Sequence, residues 1–200
     1  ALLPADILLL GEQHDAPEHQ AWENYFVQWL AQGDDLAALV LEMAEQGRST
    51  AALPTDASEA AVQKALFWND SAWPWAAYGP VTMAAVRAGV PVLGGNLPRK
   101  LLNAATANTA LDAQLSDAAW LRQLRAVREG HCDLLPEKML PGMVRVQIAR
   151  DMQLAQTAAA AVQNGKPNTD LIPPVLIVAR YFAADQQAIE QLEAERDAIT

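Results

Sequence analysis

Glu12, His14 and Glu42 are the residues of this chain best placed to do chemistry. The apolar run Ile7–Leu10 leads into Gly11-Glu12-Gln13-His14-Asp15, four polar side chains in a row after a stretch that reads as buried strand. Side chains alternate along an extended chain, so Glu12 and His14 fall on the same side and can share one ligand or one proton. Asp15 reads as the cap of the next helix, with Glu18 at capping-box spacing. Glu42 follows Leu39-Val40-Leu41. A carboxylate emerging from a buried strand needs a partner or a metal. The partner could be a plain ion pair, for instance to Arg150; the metal would be shared between His14 and Glu42. Asn96, after Gly94-Gly95, stands at the same expected rim, with a helix cap as its plainer reading. In a hydrolytic reading, Glu12 or His14 activates water, Glu42 orients it, Asn96 completes the rim and Arg150 neutralises an anionic intermediate.

Two further groups carry possible chemistry. His131-Cys132 lies near Met139 and Met143, a mix of imidazole and soft ligands that can hold iron, copper or haem. The stretch Phe67-Trp68-Asn69-Asp70-Ser71-Ala72-Trp73-Pro74-Trp75, followed by Tyr78, reads either as core or as the lining of a flat porphyrin pocket. Three of the six tryptophans fall within it. Gln147, Arg150 and Asp151 interrupt the apolar spacing of Met143 and Leu154, which suggests a buried network able to orient Glu42 or His14, or a solvated face.

The elements that must position these residues alternate in kind. Asp6–Gly11, Leu36–Met43, Val90–Gly94 and Pro174–Ala179 are apolar at nearly every position, as strands covered on both faces are. Between and after them, helices are predicted over Pro17–Gln32, Ser58–Phe67, Trp75–Gly89, Ser116–Glu129, Glu137–Gln163 with a kink at Pro141, and Asp185–Ile199. Trp22, Tyr25, Phe26, Trp29 and Leu30 form the apolar spacing of the first. This alternation predicts an α/β fold, a largely parallel sheet flanked by helices, in one domain over 1–200. A small helical subdomain is expected within it, over 97–145. Ligands of such sheets bind beyond the carboxyl ends of the strands, where Glu12, His14, Glu42 and Asn96 fall.

Composition narrows the partners. The 200 residues include 14 basic and 24 acidic side chains, a net charge of −10. Such a surface repels phosphate backbones, so no nucleic-acid partner is expected. A single cysteine excludes an internal disulfide framework and any CxxC zinc site. No apolar run approaches the roughly 20 residues of a spanning helix. The opening at Ala1, without a basic and apolar leader, fits a processed chain, with membrane contact expected only through a lipid anchor already removed. There is no phosphate-binding glycine loop, no GxSxG elbow and no HExxH.

The residues also carry a family resemblance. LLLGEQHDAPEHQ, the strand ending in LEM, WPWAAYGP, VPVLGGNLPR, the His-Cys pair and MVRVQIARDMQLA, in this order from about Asp6 to Ala179, resemble the ChaN-like haem-binding lipoproteins of the wider EreA/ChaN and Tiki/TraB superfamily. The resemblance implies an α/β fold with helical additions and a bacterial cell-envelope lipoprotein, in the periplasm or at the outer membrane, linked to iron or haem uptake. It implies haem bound at the interface of a homodimer with tyrosine as the iron ligand. Tyrosinate suits ferric haem. Of the three tyrosines, Tyr78 and Tyr181 are the candidates, with His131 beside them, and Tyr25 ranks last because it sits on an apolar helix face. Erythromycin esterases resemble the chain at the first strand end, which gives the alternative of a metal-assisted or general-base hydrolase using Glu12, His14 and Glu42. One departure stands out: family members carry a GxGH-type segment after the last strand, and here Arg180-Tyr181-Phe182-Ala183-Ala184-Asp185 lacks that histidine.

Overall fold

The computed structural model describes residues 5–33, 35–164 and 175–180. Four strands, β1 (Ile7–Glu12), β2 (Ala38–Glu45), β3 (Val92–Asn96) and β4 (Val175–Arg180), form one sheet in the order β1-β4-β2-β3. Every pairing is parallel: Ile7 and Ala38 both align with Val175, and Leu39 aligns with Val92. The helices are α1 (Pro17–Gln32), α2 (Glu59–Leu66), α3 (Trp75–Arg87), α4 (Leu102–Ala107), α5 (Asp117–Gly130) and α6 (Leu140–Asn164). The α/β architecture with a parallel sheet and flanking helices is the one the apolar alternation predicts.

Local sequence accounts for the boundaries. Pro17 opens α1, where a missing N–H costs no helical bond. Ser58 caps α2 by accepting from the Ala61 N–H, and Ser116 caps α5 by accepting from Ala119. Asp70 accepts from the Trp75 N–H at the start of α3. Two expectations are corrected. The N-cap of α1 is Ala16, with no side-chain hydrogen bond, so Asp15 does not cap it. Pro141 is the second residue of α6 rather than a kink inside it. The predicted helix over Asp185–Ile199 lies outside the described residues.

Each strand ends one or two residues later than its apolar run. Glu12 and Asn96 are therefore the last residues of β1 and β3, and Glu42 stands within β2. The register between β2 and β3 shifts between Leu41 and Glu45. Gly94 permits this: a Cβ there would lie 2.0 Å from the Glu45 carbonyl oxygen. β1 is an edge of the described sheet, and Ile7 to Leu10 are only half-buried, whereas Leu39, Val40 and Leu41 in β2 are fully buried. The double-sided covering expected of all four runs holds for β2 and not for β1.

The chain divides into two units. One runs to Asn96 and resumes at Gln156; the other includes Leu97–Ala155. The core of the first joins Leu39 and Leu41 of β2, Leu176 and Val178 of β4, Val62 and Leu66 of α2, and Val81 and Val86 of α3. Each such side chain contributes about 1.5–3 kcal/mol on full burial. The second unit has apolar clusters of its own, around Leu111, Val144 and Ile148, and around Leu97, Ala105 and Val146.

The facing of α1 differs from expectation. Trp22, Tyr25 and Trp29 are 67%, 60% and 49% exposed, while Gln20, Glu23, Val27 and Leu30 are buried. Helical spacing alone cannot choose between two such stripes. Here the stripe with two polar residues turns inward, because the end of β1 supplies them with partners.

Candidate functional site

The site gathers around one carboxylate. Glu12 is fully buried at the end of β1. Its Oε1 lies 2.7 Å from Nδ1 of His14 and accepts the Tyr78 hydroxyl at 2.8 Å. Its Oε2 accepts from Nε2 of Gln20 at 2.7 Å. The Tyr78 oxygen is also 3.2 Å from His14 Nδ1. β1 brings Glu12, the following turn His14, α1 Gln20, and α3 Tyr78. Burial alone would raise the Glu12 carboxyl, but hydrogen bonds from His14, Tyr78 and Gln20 outweigh it and hold the group below the usual carboxylate range.

Glu23, three residues beyond Gln20 on the same face of α1, completes the cluster. It is 2% exposed, and as an anion neither of its oxygens would have a hydrogen-bond partner. Burial and then the neighbouring Glu12 carboxylate push its carboxyl up to about 8. Near neutral pH it is therefore the protonated acid beside the Glu12 carboxylate, since two closely placed buried acids do not both ionise. Sequence reasoning missed both Gln20 and Glu23. The signal was present in the spacing of 20, 23, 27 and 30, which sets them on one stripe with Val27 and Leu30.

The aromatic stretch packs against this network. Trp73 meets the His14 ring edge-on at 4.6 Å between centroids and Tyr78 at 6.0 Å. Trp68 donates to the Trp73 carbonyl and stacks edge-on against Trp75. Trp68, Trp73 and Trp75 are half-buried against the core of the first unit, so this stretch takes the core reading. Phe67, 70% exposed and in the left-handed region at φ 50°, is the exception.

The other expected residues fall as follows. Glu42 is half-buried, and its backbone carbonyl accepts from the Asn96 side chain at 2.8 Å. Asn96 therefore ties β3 to β2 and caps no helix. Among the described residues no group of three His, Cys, Asp or Glu side chains gathers to hold a metal, so the expected His14 and Glu42 pair is not extended into a metal centre. Arg150 belongs to the second unit, where Gln147 donates to Asp151 at 2.7 Å one helical turn on. His131 is exposed, with Nδ1 2.7 Å from the Val127 carbonyl, and Cys132 beside it is exposed at φ 54°.

Tyr78 was an expected iron ligand, and the fold gives it other work. It is 1% exposed. Burial, and then the bond to Glu12, push its phenol well above the ordinary range, so it stays a neutral donor. A phenol in that position has no open side toward an iron. Tyr181 lies outside the described residues.

His14 is the member of the network that reaches the surface, with 21% of its side chain exposed. It lines a groove of about 410 Å³ between α1 and α3. With Nδ1 held by Glu12, what the arrangement offers to that groove is the other face of an oriented imidazole.

Comparison with known proteins agrees with the fold. The family described as haem-binding uptake, Tiki superfamily, ChaN matches residues 1–189. A solved structure of cofacial haem binding to ChaN of Campylobacter jejuni is similar at a TM-score of 0.70 and 20% identity, over 88% of this chain and 70% of that one. At that identity the likeness shows the fold. No curated protein matches. The strand-end network thus sits on the architecture of a haem-binding group, and the chain belongs to the ChaN family of haem-binding uptake proteins in the Tiki superfamily.

Proposed function

We propose that this chain binds haem as a homodimer and serves haem or iron uptake in the bacterial cell envelope, held there by a lipid anchor. The observation that carries the reading is the outward face of α1. Trp22, Tyr25 and Trp29, spaced by three and four residues, leave from 49% to 67% of their surface in solvent. Large aromatics grouped on one exposed face mark an interaction surface, and their rings suit a porphyrin edge or the same face of a second copy. Trp22 and Tyr25 already meet edge-on at 5.8 Å. The family supports haem as the ligand. No described helix is long and apolar enough to cross a membrane, so the envelope role calls for an anchor outside these helices.

The test is a titration of the purified protein with ferric haem, followed by Soret absorbance and by sedimentation. A saturable Soret shift of defined stoichiometry, with a mass twice that of the chain, is expected. A Trp22→Ala/Trp29→Ala variant should keep its helical circular dichroism and lose the dimer. A spectrum of free haem at every ratio would remove the reading.

A further inference from the structure

We propose that the groove between α1 and α3 binds a short peptide in extended conformation, with its amino end beside Asp15 and its free carboxylate on Arg87. The inference goes beyond the haem reading and stands apart from it.

A ladder of amides carries it. Gln20, Asn24, Gln28 and Gln32 recur at every fourth position of α1, and all four line the hollows between the two helices. Gln20 is held by Glu12. Gln28 donates to the Asn24 side-chain oxygen at 3.0 Å. That leaves the Asn24 amide nitrogen, the Gln28 oxygen and both ends of the Gln32 amide to pair with a ligand. Residues four apart on a helix are about 6 Å apart along its axis. An extended chain repeats its same-facing N–H and C=O groups every two residues, about 6.6–6.8 Å. The ladder thus keeps step with a peptide backbone, whose polar groups each need a partner once they leave water.

The rest of the groove fits the same ligand. The hollow of about 410 Å³ at His14 and a second of about 540 Å³ share Asn24 and Pro80. The other wall is Ala76, Pro80 and Ala84 of α3 and Ala88 at its end, side chains too short to fill the space. No Phe, Tyr or Trp lines either hollow, so nothing there stacks on a flat ring or a sugar. Charge marks the two ends. Asp15 lines the first hollow and Arg87 the second. Both are exposed, and neither side chain has an ion pair or hydrogen bond among the described residues. An arginine fork takes a terminal carboxylate in two parallel bonds, and a carboxylate such as Asp15 takes a terminal ammonium. From Ala76 to Arg87, α3 rises about 17 Å, the span of about five extended residues.

The experiment titrates the nitrogen-15-labelled protein with penta-alanine and follows the side-chain amide signals of Asn24, Gln28 and Gln32, each assigned by its loss in the single alanine variant. Saturating shifts in all three are expected. Amidating the peptide carboxylate should weaken binding roughly tenfold in the wild type, the loss of one charge-assisted contact, and change nothing further in Arg87→Gln. Acetylating the amino end should behave in the same way with Asp15→Asn. Both positions are exposed, so these variants are expected to fold, and circular dichroism checks that they do. Equal weakening by amidation in wild type and Arg87→Gln overturns the seat of the carboxylate, and with it the proposal. So does an absence of amide shifts at millimolar peptide. Saturating shifts with chitopentaose and none with penta-alanine would make the groove a glycan site and overturn the peptide reading. The haem titration above is unaffected by any of these outcomes.

Discussion

The end of β1 and the helical unit each hold a carboxylate below its ordinary range, by different means. Glu12 is fully buried and takes donors from His14, Tyr78 and Gln20. Asp112 is held down chiefly by the hydrogen bonds of Arg145, Nε to Oδ1 at 2.7 Å and a second nitrogen to Oδ2 at 2.8 Å, with 38% of its side chain in solvent. The two shifts agree in direction and differ in what stands behind them. Water can replace Arg145. Nothing replaces the donors of Glu12, because burial has removed the water that would do so. A buried network is therefore a commitment of the fold, and a half-exposed ion pair is a smaller addition to it.

The comparison can be tested from its deep end outward. Glu12→Ala removes the acceptor of the buried Tyr78 and Gln20 donors and of the half-buried His14, so a loss on the order of 3–5 kcal/mol is expected in urea unfolding at neutral pH. A loss under about 1 kcal/mol would mean that water reaches the network.

Next in size is the proton of Glu23. In the fold its carboxyl titrates at about 8, while a glutamate of the unfolded chain ionises near ~4.3. Between the two values folding takes up a proton. The contribution of Glu23 is therefore fully present below the unfolded value and is lost as pH rises through the folded one, by at most about 1.4 kcal/mol per pH unit. Glu23→Gln cannot titrate. Its stability should fall less over that window than that of the wild type, and parallel curves would rule out the raised carboxyl. Glu12 acts in the opposite sense: its contribution is present above the ordinary glutamate range and is lost as pH falls through its lowered value. Smallest is Arg145→Gln, for which about 0.2–1 kcal/mol is expected, shrinking further in added salt. A salt-independent loss would show that this pair is not solvated.

The sequence was legible where structure is local. α1 runs from Pro17 to Gln32, the bounds that the sequence predicts. Ser58 and Ser116 cap the helices they precede. Alternation at the strand end placed Glu12 beside His14, and the structure joins them at 2.7 Å. It was less legible where two stripes competed for one core. On α1 hydropathy favours Trp22, Tyr25 and Trp29, yet Gln20 and Glu23 go inside because a buried carboxylate waits there. The same cause demoted Tyr78 as an iron ligand: nothing near position 78 in the chain reveals a carboxylate 66 residues away.

From the sequence alone came the α/β class, the parallel strands and the polar strand end, since each follows from side-chain periodicity within a few turns of chain. The tertiary structure alone decided which carboxyl keeps a proton, which tyrosine is sealed and which nitrogen of His14 is held by a carboxylate. Those depend on desolvation and on donors brought from distant elements, and neither is set until β1, α1 and α3 have packed together.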